Sequence, residues 1–336
     1  MYFAFRPGFS IYKKGEGPVF IVPHSGPALG GEGRDDGADR VASFCFEKMN
    51  GSLLISNMPR DPFYGIDLNR DIPPKQEALS MWKKIQMNPN AISKAYLSKY
   101  AWVAKSDADY NKKKKIYSNF WSSAKSSGNI FVIIHRKFAL LKNYPSIMDF
   151  ITFNGIGIDK KVLKKIIGIA NKKYNLFFRK IAKNFQLEII NREQQILSSL
   201  ELKQSSLADV KKKYSWILSK EVNIIKKNAE KKYFEEMRSN FTKNNFLRAV
   251  KNTMKNIGSP KITVERIFSG SVSFAPKRFI LKGNPIVLQI ESDAFINEYY
   301  PKKGAEIILY ILKTIDKYKK YKTAGMQKAV YDFLSS

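Results

Sequence analysis

Only two histidines occur in the 336 residues of this chain, and each follows an apolar run: Pro18-Val-Phe-Ile-Val-Pro-His24-Ser-Gly and Asn129-Ile-Phe-Val-Ile-Ile-His135. Imidazole is a frequent metal ligand and the side chain that titrates nearest neutral pH. An acidic cluster, Glu32, Asp35, Asp36 and Asp39, follows the first histidine. A catalytic zinc ion takes three nitrogen or oxygen donors from the protein and leaves one position open. His24 and His135 would supply two, and one of the four acids the third. Asp36 or Asp39 would also suit the N-cap of a following helix. Glu291 ends a third apolar run, Pro285-Ile-Val-Leu-Gln-Ile-Glu291, where a carboxylate is costly without a partner or a role. Asp67-Leu-Asn69-Arg70 offers a guanidinium fork beside an amide donor, a natural clamp for a carboxylate. Arg60, on the same stretch, has the chemistry to stabilise a developing oxyanion.

These residues need a frame, and the apolar pattern supplies one. A strand over Pro18–Pro23, a helix from about Asp39 to Met49 and a strand over Ser52–Met58 give an α/β order. Helices are expected over residues 75–125, interrupted near Asp107–Asp109, before a strand at Ile130–Ile134. Side chains at the carboxyl ends of such strands face the crevice where α/β sheets keep their sites. From Ile169 to Ile257 there is neither glycine nor proline, so long helices are expected. Leu207, Val210, Tyr214, Ile217, Ile225, Ala229, Tyr233, Met237 and Phe241 recur mostly at helical steps. Strands are expected again at Lys261–Ile267, Ser271–Phe274 and Pro285–Glu291, then helices at Gly304–Tyr318 and Gly325–Leu334. The expectation is an α/β core over residues 1–160 and 258–336, with a mixed central sheet and flanking helices. A basic helical subdomain, possible as a hairpin, is expected as an insertion over residues 161–257.

Taken in order, Pro23-His24-Ser-Gly, Asp39-Arg-Val, Asp67-Leu-Asn-Arg70, His135 and Gln289-Ile-Glu291 resemble the N-formylglutamate amidohydrolase family. The likeness covers roughly residues 15–75, 128–160 and 262–300. It implies the zinc-carboxypeptidase and aspartoacylase type of α/β fold and a zinc cofactor. By the same resemblance Asp39 joins His24 and His135 as metal ligand, and Glu291 is the general base. Asn69 and Arg70 would hold the free carboxylate of an N-acyl amino acid or peptide whose amide bond is hydrolysed. Asp67 is expected to orient Arg70 or to cap its loop. Two departures stand out. The second histidine lies in Ile133-Ile-His135-Arg-Lys rather than an Asp-x-His-Ser type segment, and Lys277-Arg-Phe-Ile-Leu-Lys-Gly replaces a Gly-rich stretch, which implies an altered pocket.

Composition adds a second expectation. The chain carries 59 Lys+Arg against 29 Asp+Glu, a net charge of +30. Through residue 75 the two signs balance at nine each, so the excess lies downstream. Residues 169–257 alone hold 20 basic and 8 acidic side chains. Such a field attracts phosphates and acidic surfaces. Aromatics among lysines in Lys212-Lys-Tyr-Ser-Trp216 and Lys231-Lys-Tyr-Phe234 would permit stacking. A nucleic-acid or acidic-partner binding protein on an α/β scaffold is therefore the competing reading, and the two are compatible. The single cysteine, Cys45, excludes an internal disulfide and a thiolate zinc site and reads as a buried apolar residue. No apolar run is long enough to span a membrane, and a cytoplasmic protein is expected.

Overall fold

The computed structural model describes residues 1–28, 33–88, 92–153, 155–156, 158–202, 258–271, 273–281 and 285–326. In chain order the strands are β1 (Tyr2–Arg6), β2 (Phe9–Lys13), β3 (Val19–Val22), β4 (Ser52–Ser56), β5 (Ile130–Lys137), β6 (Ser146–Ile151), β7 (Lys261–Val264) and β8 (Ile286–Asp293). The helices are α1 (Ala38–Lys48), α2 (Lys75–Met87), α3 (Lys94–Lys99), α4 (Asp107–Ser126), α5 (Lys160–Lys173), α6 (Asn175–Leu202), α7 (Phe274–Phe279), α8 (Ala294–Tyr299) and α9 (Pro301–Thr323). No helix among the described residues is long and apolar enough to cross a membrane.

The eight strands form one mixed sheet in the order β1-β2-β4-β3-β5-β8-β6-β7. At its centre β4, β3, β5 and β8 run parallel, while β1, β2 and β6 pair antiparallel. The runs over residues 19–22, 130–134 and 286–288 of the central strands are apolar because both their faces are covered, and the polar residues gather toward the carboxyl ends. From β3 the chain passes to β4 on one side and then crosses back to β5 on the other. The carboxyl ends of β3 and β5 therefore flank a switch point of the sheet, the place where α/β folds open a crevice. Helix α4 buries Tyr117, Phe120, Trp121 and Ala124 in a core shared with Val19, Ile21, Phe131 and Ile133.

The chain divides into two compact units. The first comprises residues 1–137, 148–170 and 263–336, and the second residues 138–147 and 171–262. The second unit is described in part. Within it the buried Glu193 of α6 accepts from the Leu141 backbone N–H at 3.0 Å, and Tyr144 stacks on Phe185. The apolar stripe over 207–241 and both lysine-aromatic segments lie outside the described residues, as do all but the first two residues of the helix expected from Gly325 to Leu334.

Several elements differ from expectation. The N-terminal Tyr2–Lys13 segment is a hairpin, turned at Gly8 with φ 85°. Strand β6 was not expected because Asp149 interrupts its apolar run, yet that carboxylate is fully buried and hydrogen-bonded. Where a strand was expected over Ser271–Phe274, Phe274 instead opens α7, whose third residue is Pro276. Proline tolerates a first helical turn but not the interior of a sheet.

Candidate functional site

His24 lies two residues beyond β3, in a turn that passes close to the chain after β4. A Cβ on Gly26 would sit 1.8 Å from the Met58 carbonyl oxygen, so only glycine permits this approach. His135 lies in β5, and in the β5–β8 register it faces Glu291, with Ile133 facing Gln289. The Asp67–Arg70 segment is fixed by α4: Trp121 Nε1 donates to the Leu68 carbonyl at 2.9 Å and Tyr117 Oη to the Arg70 carbonyl at 2.6 Å. All these residues belong to the first unit.

At the strand ends His24 Nδ1, His135 Nδ1 and Asp35 Oδ2 converge. The histidine nitrogens are 3.1 Å apart, and Asp35 Oδ2 lies 3.2 Å from His24 Nδ1 and 3.0 Å from His135 Nδ1. All three side chains are buried. Zinc bonds of about 2.0–2.2 Å in a tetrahedron separate ligand atoms by about 3.3 Å, so this triangle has the donor types and spacing of such a site. Two imidazole nitrogens and one carboxylate oxygen, all within 3.2 Å of one another, are also three donor atoms that a single cation can share. On both counts the residues present fit a metal ion.

The carboxylate at the histidines is Asp35, which corrects the assignment of Asp39. The Asp35 backbone N–H donates to the His24 carbonyl at 2.9 Å, holding its side chain beside the ring. Asp39 already lies in the first turn of α1, whose direction carries it away; it pairs with Arg34 at 2.8 Å and is partly exposed. Asp36 pairs with Arg136 at 2.9 Å, and Glu32 lies outside the described residues. Neither Asp36 nor Asp39 caps α1, whose N-cap is Gly37 at φ 77°.

Asp67 has a larger part than expected. Its Oδ1 lies 2.9 Å from His24 Nε2 and also accepts from the Asn69 backbone N–H. With a metal on Nδ1, that contact would hold the ring proton on Nε2; in the metal-free ring both nitrogens face a carboxylate, Nε2 that of Asp67 and Nδ1 that of Asp35. Asp67 Oδ2 meets Arg60 Nε at 3.3 Å and Arg70 Nε at 3.4 Å, so both expected arginines are brought to the site through one carboxylate. His135 has no such support, its Nε2 being buried without a hydrogen-bond partner among the described residues.

Electrostatics follow this packing. Burial opposes charge on Asp35, but hydrogen bonds to His135 and His24 outweigh it and hold the carboxyl well below the usual range. Burial likewise opposes charge on Asp67, and His24, Arg60 and Arg70 overcome it. Burial and Arg60 disfavour protonated His24, yet Asp67 and Asp35 prevail and its pKa is raised. Burial raises the pKa of Glu291, reinforced by Asp35 and opposed by His135, Gln289 and His24.

A cavity of about 290 Å³ is lined by His24, Asp35, Arg60, Arg70, His135 and Glu291 among others. Asn69, Ser273 and Gln289 also line it. Ser273 was not expected at the site because it is remote in sequence and follows no periodic pattern. The rim is the segment 267–271, and the buried Asp149 holds its start. Asp149 Oδ1 accepts from the Arg266 N–H at 3.1 Å, and Oδ2 from the Ile267 and Phe268 N–H groups at 2.9 and 3.2 Å. A cavity of about 340 Å³ at the amino ends of β5 and β8, lined by Lys125, Asn129 and Ile286, holds neither histidine.

The sequence and the structure were compared with protein-family models, curated proteins and solved structures, and nothing matches.

Proposed function

We propose that the protein is a zinc-dependent hydrolase that cleaves an amide C–N bond in an N-acyl amino acid or peptide carrying a free carboxylate. The observation that carries this reading is the meeting of His24, His135 and Asp35 in one cavity with the buried carboxylate of Glu291. A bound zinc ion would supply Lewis acidity and lower the pKa of water. Glu291 then takes a proton from the attacking water and returns it to the leaving nitrogen, so that the C–N bond breaks to a carboxylic acid and an amine. Its raised pKa suits a group that must first accept and then release that proton. Arg70 holds the substrate carboxylate, with Asn69 beside it, and Arg60 faces the oxygen on which negative charge develops. The resemblance of His24-Ser-Gly, Asp67-Leu-Asn-Arg and Gln289-Ile-Glu to the N-formylglutamate amidohydrolases supports the same chemistry and that type of α/β fold.

Elemental analysis of the purified full-length chain, with the His24→Ala and His135→Ala variants alongside, tests the reading. About one zinc per chain, lost in either variant, is expected. A wild-type chain that takes up no zinc on incubation would overturn it.

A further inference from the structure

A chain of hydrogen bonds runs beneath the cavity from Asn69 to Glu291. Asn69 Nδ2 lies 3.1 Å from Ser273 Oγ, Ser273 Oγ 2.8 Å from Gln289 Oε1, and Gln289 Nε2 2.8 Å from Glu291 Oε1. All four side chains are buried, Asn69 at 7% exposure. While Glu291 is a carboxylate it can only accept, so Gln289 must turn its NH2 toward it and its carbonyl toward Ser273. The one proton of the Ser273 hydroxyl is then donated to Gln289, and Ser273 can only accept from Asn69. The direction of every bond is thereby set, and the Asn69 amide cannot flip without opposing two oxygens. Its Oδ1 is left buried with no hydrogen-bond partner among the described residues. A buried acceptor without a donor is unfavourable, and Asn69 lines the cavity.

We infer that Asn69 serves as an acceptor for a ligand N–H, with Ser273 and Gln289 as the positioning residues that fix its orientation. Resting on the hydrolase reading, this narrows the substrate class to secondary amides. Esters and tertiary amides lack the hydrogen that Asn69 Oδ1 receives. The carboxylate of the substrate falls to Arg70, not to the Asn69 carbonyl.

Acetohydroxamic acid and its N-methyl analogue, which differ in the N–H alone apart from one methyl group, are the probes. Their affinities are measured by calorimetry on the zinc-loaded chain, on Asn69→Leu and on Ser273→Ala. The wild type is expected to favour the N–H compound by about tenfold, the factor one neutral hydrogen bond commands. The preference should vanish in Asn69→Leu and shrink in Ser273→Ala. Equal affinities in the wild type, or a preference that survives in Asn69→Leu, would overturn the inference. Failure of both probes to bind would count against the metal-hydrolase reading instead. The orientation of Asn69 is then decided by its side-chain amide resonances in the 15N-labelled, metal-free protein, identified by their loss in Asn69→Leu. A large shift on Ser273→Ala is expected, and unmoved resonances would overturn the relay.

Discussion

His24 Nε2 and Asp67 Oδ1 lie 2.9 Å apart although 43 positions separate them in sequence. With a metal bound, the contact would keep the ring proton on Nε2 and leave Nδ1 to coordinate, and it ties the first histidine to the loop that carries both arginines. Asp67→Ala should therefore weaken zinc affinity by about 10–100-fold, the usual effect of removing a carboxylate behind a ligating imidazole. Competition against a chromophoric chelator measures it. An unchanged affinity would mean that Asp67 serves only the arginines.

Asp35 and Asp39 separate cleanly in the same assay. Asp35→Asn should abolish tight zinc binding, whereas Asp39→Asn, which breaks only a partly exposed pair with Arg34, should leave it within about twofold. The reverse pattern would restore Asp39 as the ligand.

Glu291→Gln should retain zinc while turnover of N-acyl amino acids falls by about 10²–10⁴-fold, the range for a general base. Retention of most of the activity would remove Glu291 from that role.

The metal-free chain should respond to pH in a defined sense. The raised pKa of His24 means that its protonated ring stabilises the fold fully below about 6.5, a contribution lost as pH rises through the folded-state value. The lowered pKa values of Asp35 and Asp67 contribute stability present above about 3.9 and lost as pH falls through their folded-state values. These groups together favour the interval from about 4 to 6.5. Thermal unfolding in chelator should give a Tm that declines from pH 6 toward pH 8. With zinc the decline should be offset, because the ion competes with the proton on His24 and its affinity climbs with pH. A metal-free Tm that rises across this range would contradict the assignment.

Two strand positions beyond the site, Lys137 and Asp293 form a buried ion pair, Nζ to Oδ2 2.9 Å, in the same β5–β8 register as His135 and Glu291. Lys137→Met should cost about 3–5 kcal/mol in urea unfolding, because it leaves a buried carboxylate without this cation, held by neutral donors such as the Phe295 N–H. Joining it with Asp293→Leu should cost less than the sum of the two single changes. Strict additivity would show that the pair does not act as a unit.

Much of this was legible in the residues, for physical reasons that also explain the gaps. The runs at β3, β5 and β8 are apolar because both sheet faces are covered, and their ends bring His24, His135 and Glu291 into one cavity, which Asn69 and Arg70 reach from a loop held by α4. The choice between Asp35 and Asp39 was not legible, because one helical turn separates a side chain facing the rings from one facing Arg34. The N-terminal hairpin had its signal in Pro7-Gly8 between β-forming residues. Strand β6 did not, since its Asp149 is explained only by partners more than a hundred residues away.

Those partners make Asp149 consequential. Three successive backbone amides, at Arg266, Ile267 and Phe268, end on one buried carboxylate, while Glu265, at φ 45°, sends its own carboxylate to Thr152 and Lys160. The segment that leads into the cavity lining is thus held at Asp149 inside the sheet and, one residue earlier, at Thr152 and Lys160. That wall of the cavity is therefore braced from beneath, and its three amides should be among the slowest in the segment to exchange with deuterium.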